Sequence, residues 1–280
     1  MGMPGGAKYR TVYAAFALAS ASMVFLPGCR QISQYLYLHH YDREISKATQ
    51  ALASARNDSQ RAAAYAQRGS AIGEKARYSR AFRLISGAEH ARLLDLALTD
   101  HARAIALAPG NAEMYYLRGC TSYSQTTLTP MVPEDAPRVP ARLASAKADF
   151  SKAIELDPRH AQAYEFRGLT DEGAGDWDQA IADYTQLAAL QPKSRYRLAD
   201  GYCGRGSFYL KEKRPDLAAA DLEKSIEIGS FTDGCQCEPY NSLLAIYLFE
   251  KPDLEKARAV VRRAQAASQW IAPEYLEKLK

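Results

Sequence analysis

Histidine is scarce in this sequence, and its five copies are poorly placed for chemistry: His39, His40, His90, His101 and His160 form no metal-binding spacing. His39 and His40 are adjacent, so on a helix they point about 100° apart and suit a shared metal poorly. There is no glycine-rich phosphate loop, no G-x-G-x-x-G and no G-x-S-x-G. Net basic charge is also small. The formal net charge is +4, and Lys8 and Arg10 supply two of those positives in a stretch of 28 residues without an acid, leaving +2 for the rest. That balance gives no reason to expect a nucleic-acid partner, which usually shows as a strongly basic stripe. Cys235-Gln236-Cys237 is not a C-x-x-C pair, and no second pair completes a metal site. Asp171-Glu172 and Asp176/Asp178 sit among glycines and fit helix ends better than a paired-carboxylate site. No catalytic residue, metal, cofactor or small-molecule substrate is therefore expected.

The N-terminus is built differently. Lys8 and Arg10 precede an uncharged run, 11–26, which is shorter than the roughly 20 residues that span a bilayer. A basic start, a short apolar run and a small residue are the parts of a secretory signal. The ending Leu26-Pro27-Gly28-Cys29 resembles a bacterial lipobox, in which the cysteine is diacylated and the chain is cut before it; Pro27 departs from the usual residue. Residues 1–28 are read as that signal and Cys29 as the lipidated residue, with an uncleaved anchor or a cleaved soluble form as alternatives. In each case the positive-inside rule puts the rest of the chain across the membrane. Arg30 after the cysteine resembles sorting to the outer membrane, and the expected place is a bacterial envelope, facing the periplasm.

Tyrosine is abundant, with 18 copies against 8 Phe and 2 Trp, and it recurs in order. Tyr followed three residues later by Arg-Gly appears at Tyr65/Arg68-Gly69, Tyr115/Arg118-Gly119, Tyr164/Arg167-Gly168 and Tyr202/Arg205-Gly206. Each is followed by Ala and then Asp three residues on: Ala97/Asp100, Ala146/Asp149, Ala180/Asp183 and Ala218/Asp221. Residues 163–192, with Tyr164, Gly168, Ala180, Tyr184 and Pro192, resemble the helix hairpin of the tetratricopeptide-repeat (TPR) family. In that hairpin small residues allow two helices to cross closely and aromatics fill the gaps. The resemblance implies an all-α, right-handed superhelical solenoid of four to five hairpins over 61–272. An anchor-proximal helical segment, 29–60, precedes it, and a capping helix, 273–280, closes it. Gly173 and Gly175 should break one first helix, and Asp176 with Gln179 should cap the next as in a capping box.

Two features depart from an even repeat. Glycine-to-alanine spacing is 12 in the third and fourth hairpins but 28 and 27 in the first two. The first insertion, within 76–96, keeps helical periodicity through Tyr78, Phe82, Ile85, Leu93 and Leu96, and predicts an extended helical arm. The second, 124–140, carries Pro130, Pro133, Pro137 and Pro140 and predicts a projecting loop. The fifth hairpin lacks both Arg and Asp, having Leu244 and Val260 instead. Joint gain and loss suggests a contact: Arg68–Asp100, Arg118–Asp149, Arg167–Asp183 and Arg205–Asp221, or the same pairs offset by one repeat. Cys203 sits near the start of a helix that the 230–239 loop approaches, so a disulfide to Cys235 or Cys237 is reasonable, with three separate thiols as the alternative.

In the TPR family the first helix of each hairpin lines the concave face. Carried over by position, that face holds Gln67, Ser70 and Glu74; Tyr116, Cys120 and Tyr123; Glu165, Leu169 and Glu172; and Ser207 and Lys211. Apolar groups with nearby acids suit an extended or helical segment bearing apolar anchors and a few basic residues. The function the resemblance implies is a non-catalytic scaffold that gathers envelope proteins. A structural subunit docked by its arm or convex face is the alternative, and a hydrolase sited at 124–140 or on the arm is a more distant one.

Overall fold

The computed structural model describes residues 27–128, 133–229 and 238–280, with side chains from Leu36 onward apart from 127–128, and all regular elements among them are helical. Residues 1–26 of the expected signal lie outside that range. Cys29 falls in the first turn of a helix, but its side chain is not among those described. Two compact units divide the chain: the first runs to Pro109 and takes in Pro133, and the second holds the other described residues from Gly110 on.

The first unit holds α1 (Pro27–Ser54), α2 (Asp58–Ala81) and α3 (Gly87–Leu107). The buried face of α2 is almost entirely small: Ala62, Ala64, Ala66, Gly69, Ala71, Gly73 and Ala76. Such a face lets neighbouring helices approach closely. A Cβ added at Gly69 would stand 2.8 Å from the Ala97 carbonyl oxygen and 3.1 Å from the His101 ring. His101 is fully buried there, a packing residue. Asn57 begins α2 by accepting from the Gln60 amide at 2.9 Å, and Ser86 begins α3 through the Glu89 amide at 3.1 Å. At 24 and 21 residues, α2 and α3 exceed the 14-residue helices of the third hairpin, so the first insertion goes into helix. α1 packs antiparallel on α2, with Tyr37 stacked on Tyr78 at 4.9 Å and Lys75 paired with Asp42 at 2.6 Å.

The second unit runs α4 (Ala112–Ser124), α5 (Val139–Leu156), α6 (Ala161–Ala174), α7 (Trp177–Leu190), α8 (Tyr196–Lys211), α9 (Pro215–Ile228), α10 (Pro239–Ala245), α11 (Leu254–Ala266) and α12 (Pro273–Lys278). Each helix packs on the next from α4 to α11, the order a solenoid requires, and α12 returns onto α10. A Cβ at Gly119 would meet the Phe150 ring at 2.7 Å, at Gly168 the Tyr184 ring at 2.5 Å, and at Gly206 Leu222 at 3.0 Å. The repeating glycine therefore marks the crossing of the two helices of one hairpin.

The segment 124–140, read as a projecting loop, is described only in part, residues 129–132 lying outside the described range. Its described parts are short 3₁₀ turns, Gln125–Leu128 and Pro133–Arg138, in which Gln125 and Asp135 are buried while the rest of Pro133–Arg138 is exposed. Proline excludes a continuous helix, but a 3₁₀ turn that begins on Pro133 satisfies the same constraint, and polar groups at both ends of the segment go inside. Arg138 pairs with Asp135 at 2.6 Å, and Arg142 donates to the Gln125 carbonyl at 3.2 Å. Asp176 likewise occupies the N-cap position of α7 without making the capping bond. Its carboxylate lies 3.6 Å from Lys147, which also holds Asp171 at 2.6 Å. An available cation outcompetes the local amide.

Cys203 is buried and disulfide-bonded. Cys235 and Cys237, the partners weighed in the sequence, lie outside the described residues. Denaturation without reductant followed by iodoacetamide should leave Cys203 unmodified and label it only after reduction; labelling in both arms would remove the disulfide.

Candidate binding face

The four arginines that precede the repeated glycines each hold the aspartate of their own hairpin's second helix in a two-point contact. Arg68 Nε and Nη2 donate to Asp100 at 2.7 and 2.8 Å, and Arg118 to Asp149 at 2.9 and 2.6 Å. Arg167 donates to Asp183 at 2.8 and 2.7 Å, and Arg205 to Asp221 at 2.7 and 2.8 Å. All four aspartates are buried. The hydrogen bond to the carboxylate raises each guanidinium's pKa against the opposing effect of burial. Two arginines also use a third nitrogen: Arg167 Nη1 donates to Ser151 at 3.2 Å and Arg205 Nη1 to Asp178, both on the second helix of the preceding hairpin. In the fifth hairpin Leu244 and Val260 occupy the corresponding places as buried members of one apolar cluster. These pairs set helix against helix and leave none of the four arginines over for a ligand.

What remains for recognition in the second unit is the row of first helices α4, α6 and α8. Their facing residues fall at helical spacing: Tyr116, Cys120 and Tyr123 on α4, Glu165, Leu169 and Glu172 on α6, Arg197, Asp200, Ser207 and Lys211 on α8. The two tyrosines are not free anchors. Tyr116 packs on Phe150, His160 and Phe166 at ring separations of 6.1, 4.9 and 5.8 Å, and Tyr123 stands edge-on to Phe166 at 5.8 Å. Burial pushes both phenols up from the ordinary value, and Tyr116 also hydrogen-bonds Cys120. Helical phase could not show that α6 would supply Phe166 to pack against them.

His160 is similarly enclosed. It begins α6 by accepting from the Ala163 amide through Nδ1 at 3.2 Å, with Nε2 3.3 Å from Glu113, whereas a position after Pro158-Arg159 reads as a solvated turn.

The polar groups carry the character of the face. Arg197 Nε donates to Glu165 at 3.1 Å, joining α8 to α6. The Tyr184 hydroxyl donates to Glu172 at 2.8 Å. Burial pushes the Glu172 carboxyl up; the Tyr184 bond and the Arg197 charge pull it back only in part, and Asp200 adds to the rise. Leu169 and Ser207 are half-buried and Lys211 is exposed. Arg197 was missed from the sequence because it lies outside the Tyr–Arg–Gly signature; its spacing from Ser207 and Lys211 along α8 is the signal that would have found it. In the first unit Gln67 is exposed, while Ser70 is half-buried and Glu74 is engaged by Arg77 at 2.7 Å. Among the described residues no group of histidine, cysteine, aspartate and glutamate could hold a metal ion.

Most of the α8–α9 hairpin, with its Arg205-Gly206 and Ala218/Asp221, matches the family described as tetratricopeptide repeat, over residues 199–228. Residues 199–228 are thus a tetratricopeptide repeat. Solved structures of similar fold include BtubC from P. vanneervenii, at 15% identity over 83% of this chain and 90% of that one, with a TM-score of 0.51. A thermophilic TPR protein of Thermus thermophilus aligns at 24% identity over 71% and 89%, TM-score 0.40, and MamA at 18% over 74% and 96%, TM-score 0.39. No curated protein matches the chain. A TPR fold is suited to a protein-interaction scaffold.

Proposed function

We propose that this protein is a non-catalytic adaptor held at a bacterial envelope membrane, facing the periplasm, that binds partner proteins along the α4–α6–α8 face. The observation that carries the reading is Glu172: an acid half-buried on the first-helix face, its pKa raised by burial, whose carboxylate accepts from the Tyr184 hydroxyl. A carboxylate in that position costs the fold free energy at neutral pH and is suited to meet a cation on a partner. With Leu169 one turn away, the face fits an extended or helical segment that carries an apolar anchor and a basic residue. The disulfide at Cys203 favours an oxidising compartment, which agrees with the lipobox-like Leu26–Cys29. Lipidation at Cys29 and outer-membrane sorting belong to this proposal.

Two measurements test it. A carboxyl whose folded pKa lies above its unfolded value opposes folding at high pH, and that penalty fades as pH falls through the folded value towards the unfolded one. Glu172→Gln, which can still accept the Tyr184 proton, should therefore be more stable than the parent at pH 7, with the gap closing towards pH 4.5. The same variant, and Leu169→Glu, should lose partners recovered by crosslinking from native envelope with helicity unchanged. Partners retained by both variants would move binding away from this face and favour the structural-subunit reading, in which the arm or convex face docks.

A further inference from the structure

α1 and the α2–α3 arm place two distant stretches of sequence at one end of the first unit. Tyr78 stacks on Tyr37 at 4.9 Å, and Phe82 stacks on Tyr78 at 6.2 Å, one turn further towards the arm tip. Because α1 and α2 run antiparallel, the tip is level with about residue 33, six residues beyond Pro27. At 1.5 Å per residue that is roughly 9 Å from the start of α1. Cys29, the residue proposed to carry the lipid, lies in the first turn of α1, four residues before that level. With the lipid on Cys29, the tip therefore stands ~6 Å along α1 from the anchored residue, close to the thickness of one headgroup layer, about 5–7 Å.

The chemistry of the tip matches such a surface. Leu84 is 47% exposed, and Leu36 on the facing part of α1 is 59% exposed. Residues 75–88 carry Lys75, Arg77, Arg80 and Arg83 and no acid, and residues 27–41 carry Arg30 and no acid. The acids nearest this end, Asp42, Glu74 and Glu89, are neutralised by Lys75, Arg77 and Arg92 respectively, at 2.6 to 2.7 Å. Arg80 lies over Gly87, beside the turn, and Arg83 is exposed at its apex. Apolar side chains among arginines, with acids paired away, are what an interfacial membrane contact requires.

We propose that the arm tip, Phe82–Ile85, is a second membrane contact that rests on anionic phospholipid and fixes the tilt of the first unit. This rests on the reading that the N-terminus is membrane-anchored. An anchor at one point of the chain holds the protein at the membrane without orienting it, and a second basic–apolar contact supplies the orientation and adds to attachment.

The test uses the full chain, reconstituted in phosphatidylglycerol-containing vesicles, with a photoreactive benzophenone amino acid at position 84 or at position 96. Leu96 is equally exposed, at 45%, but lies well along α3 from the tip. After irradiation, phospholipid adducts should be at least fivefold more abundant from position 84 than from 96. Arg83→Glu should reduce them by a similar factor, as should replacing phosphatidylglycerol by phosphatidylcholine. Vesicle flotation with equal, low adduct at both positions overturns the tip contact while leaving the anchor intact. Protein that fails to float removes the anchor reading and the proposal with it.

Discussion

Arg167→Leu should destabilise the second unit by about 3–5 kcal/mol, and Arg167→Leu combined with Asp183→Val should return most of that loss. Removing the guanidinium alone leaves the buried Asp183 carboxylate without its two donors. Asp183→Val alone should cost less, because the Arg167 side chain is 23% exposed and can turn its charge to water. The double replacement copies what the fifth hairpin already does with Leu244 and Val260, both buried in an apolar cluster. Urea unfolding followed by tryptophan fluorescence measures this unit directly, since Trp177 and Trp270 both lie in it. If the double variant is as unstable as the two single losses added together, the equivalence between the polar and apolar pairs is wrong.

Gly168→Ala is expected to lower stability by about 2 kcal/mol although alanine is the better helix former. Helix propensity alone would favour the alanine by about 1 kcal/mol. Against that stands a Cβ placed 2.5 Å from the Tyr184 ring, which has no room to retreat. Its other side is 2.8 Å from where a Cβ at Gly201 would sit, and its hydroxyl is tied to Glu172. Gly173, in the same helix, provides the contrast. Its added Cβ would make an ordinary 3.6 Å contact with Leu143, so Gly173→Ala should stabilise by about 0.5–1 kcal/mol. Thermal or urea midpoints that move in the same direction for both variants would contradict the crossing geometry.

These two cases also show what the sequence could convey. A glycine that returns beside an arginine, with alanine and aspartate at a matching offset, contains enough to place two helices and the contact between them, because both constraints are local to a hairpin. Hairpin number and the helical nature of the 76–96 insertion follow from the same periodicity. What stayed hidden depended on neighbours far along the chain. Tyr116 and Tyr123 have the right phase for an open face, yet Phe166 of the next hairpin covers them. Prolines at 130–140 excluded a helix without revealing that Asp135 and Gln125 would turn inward. Asp176 carried the signature of a cap but went to Lys147, a side chain roughly thirty residues earlier. In each instance a tertiary partner overrode a local preference.

The third nitrogen of Arg167 and of Arg205 has a consequence for how such a chain can change in evolution. Each guanidinium is satisfied partly at home and partly by the hairpin before it, through Ser151 and Asp178. Excising one hairpin, or splicing in a copy from elsewhere, would leave a donor facing a foreign surface. The array therefore has polarity: its cations look back, and even at the Leu244–Val260 end Arg263 and Lys251 reach Glu223 and Asp216 of the hairpin before.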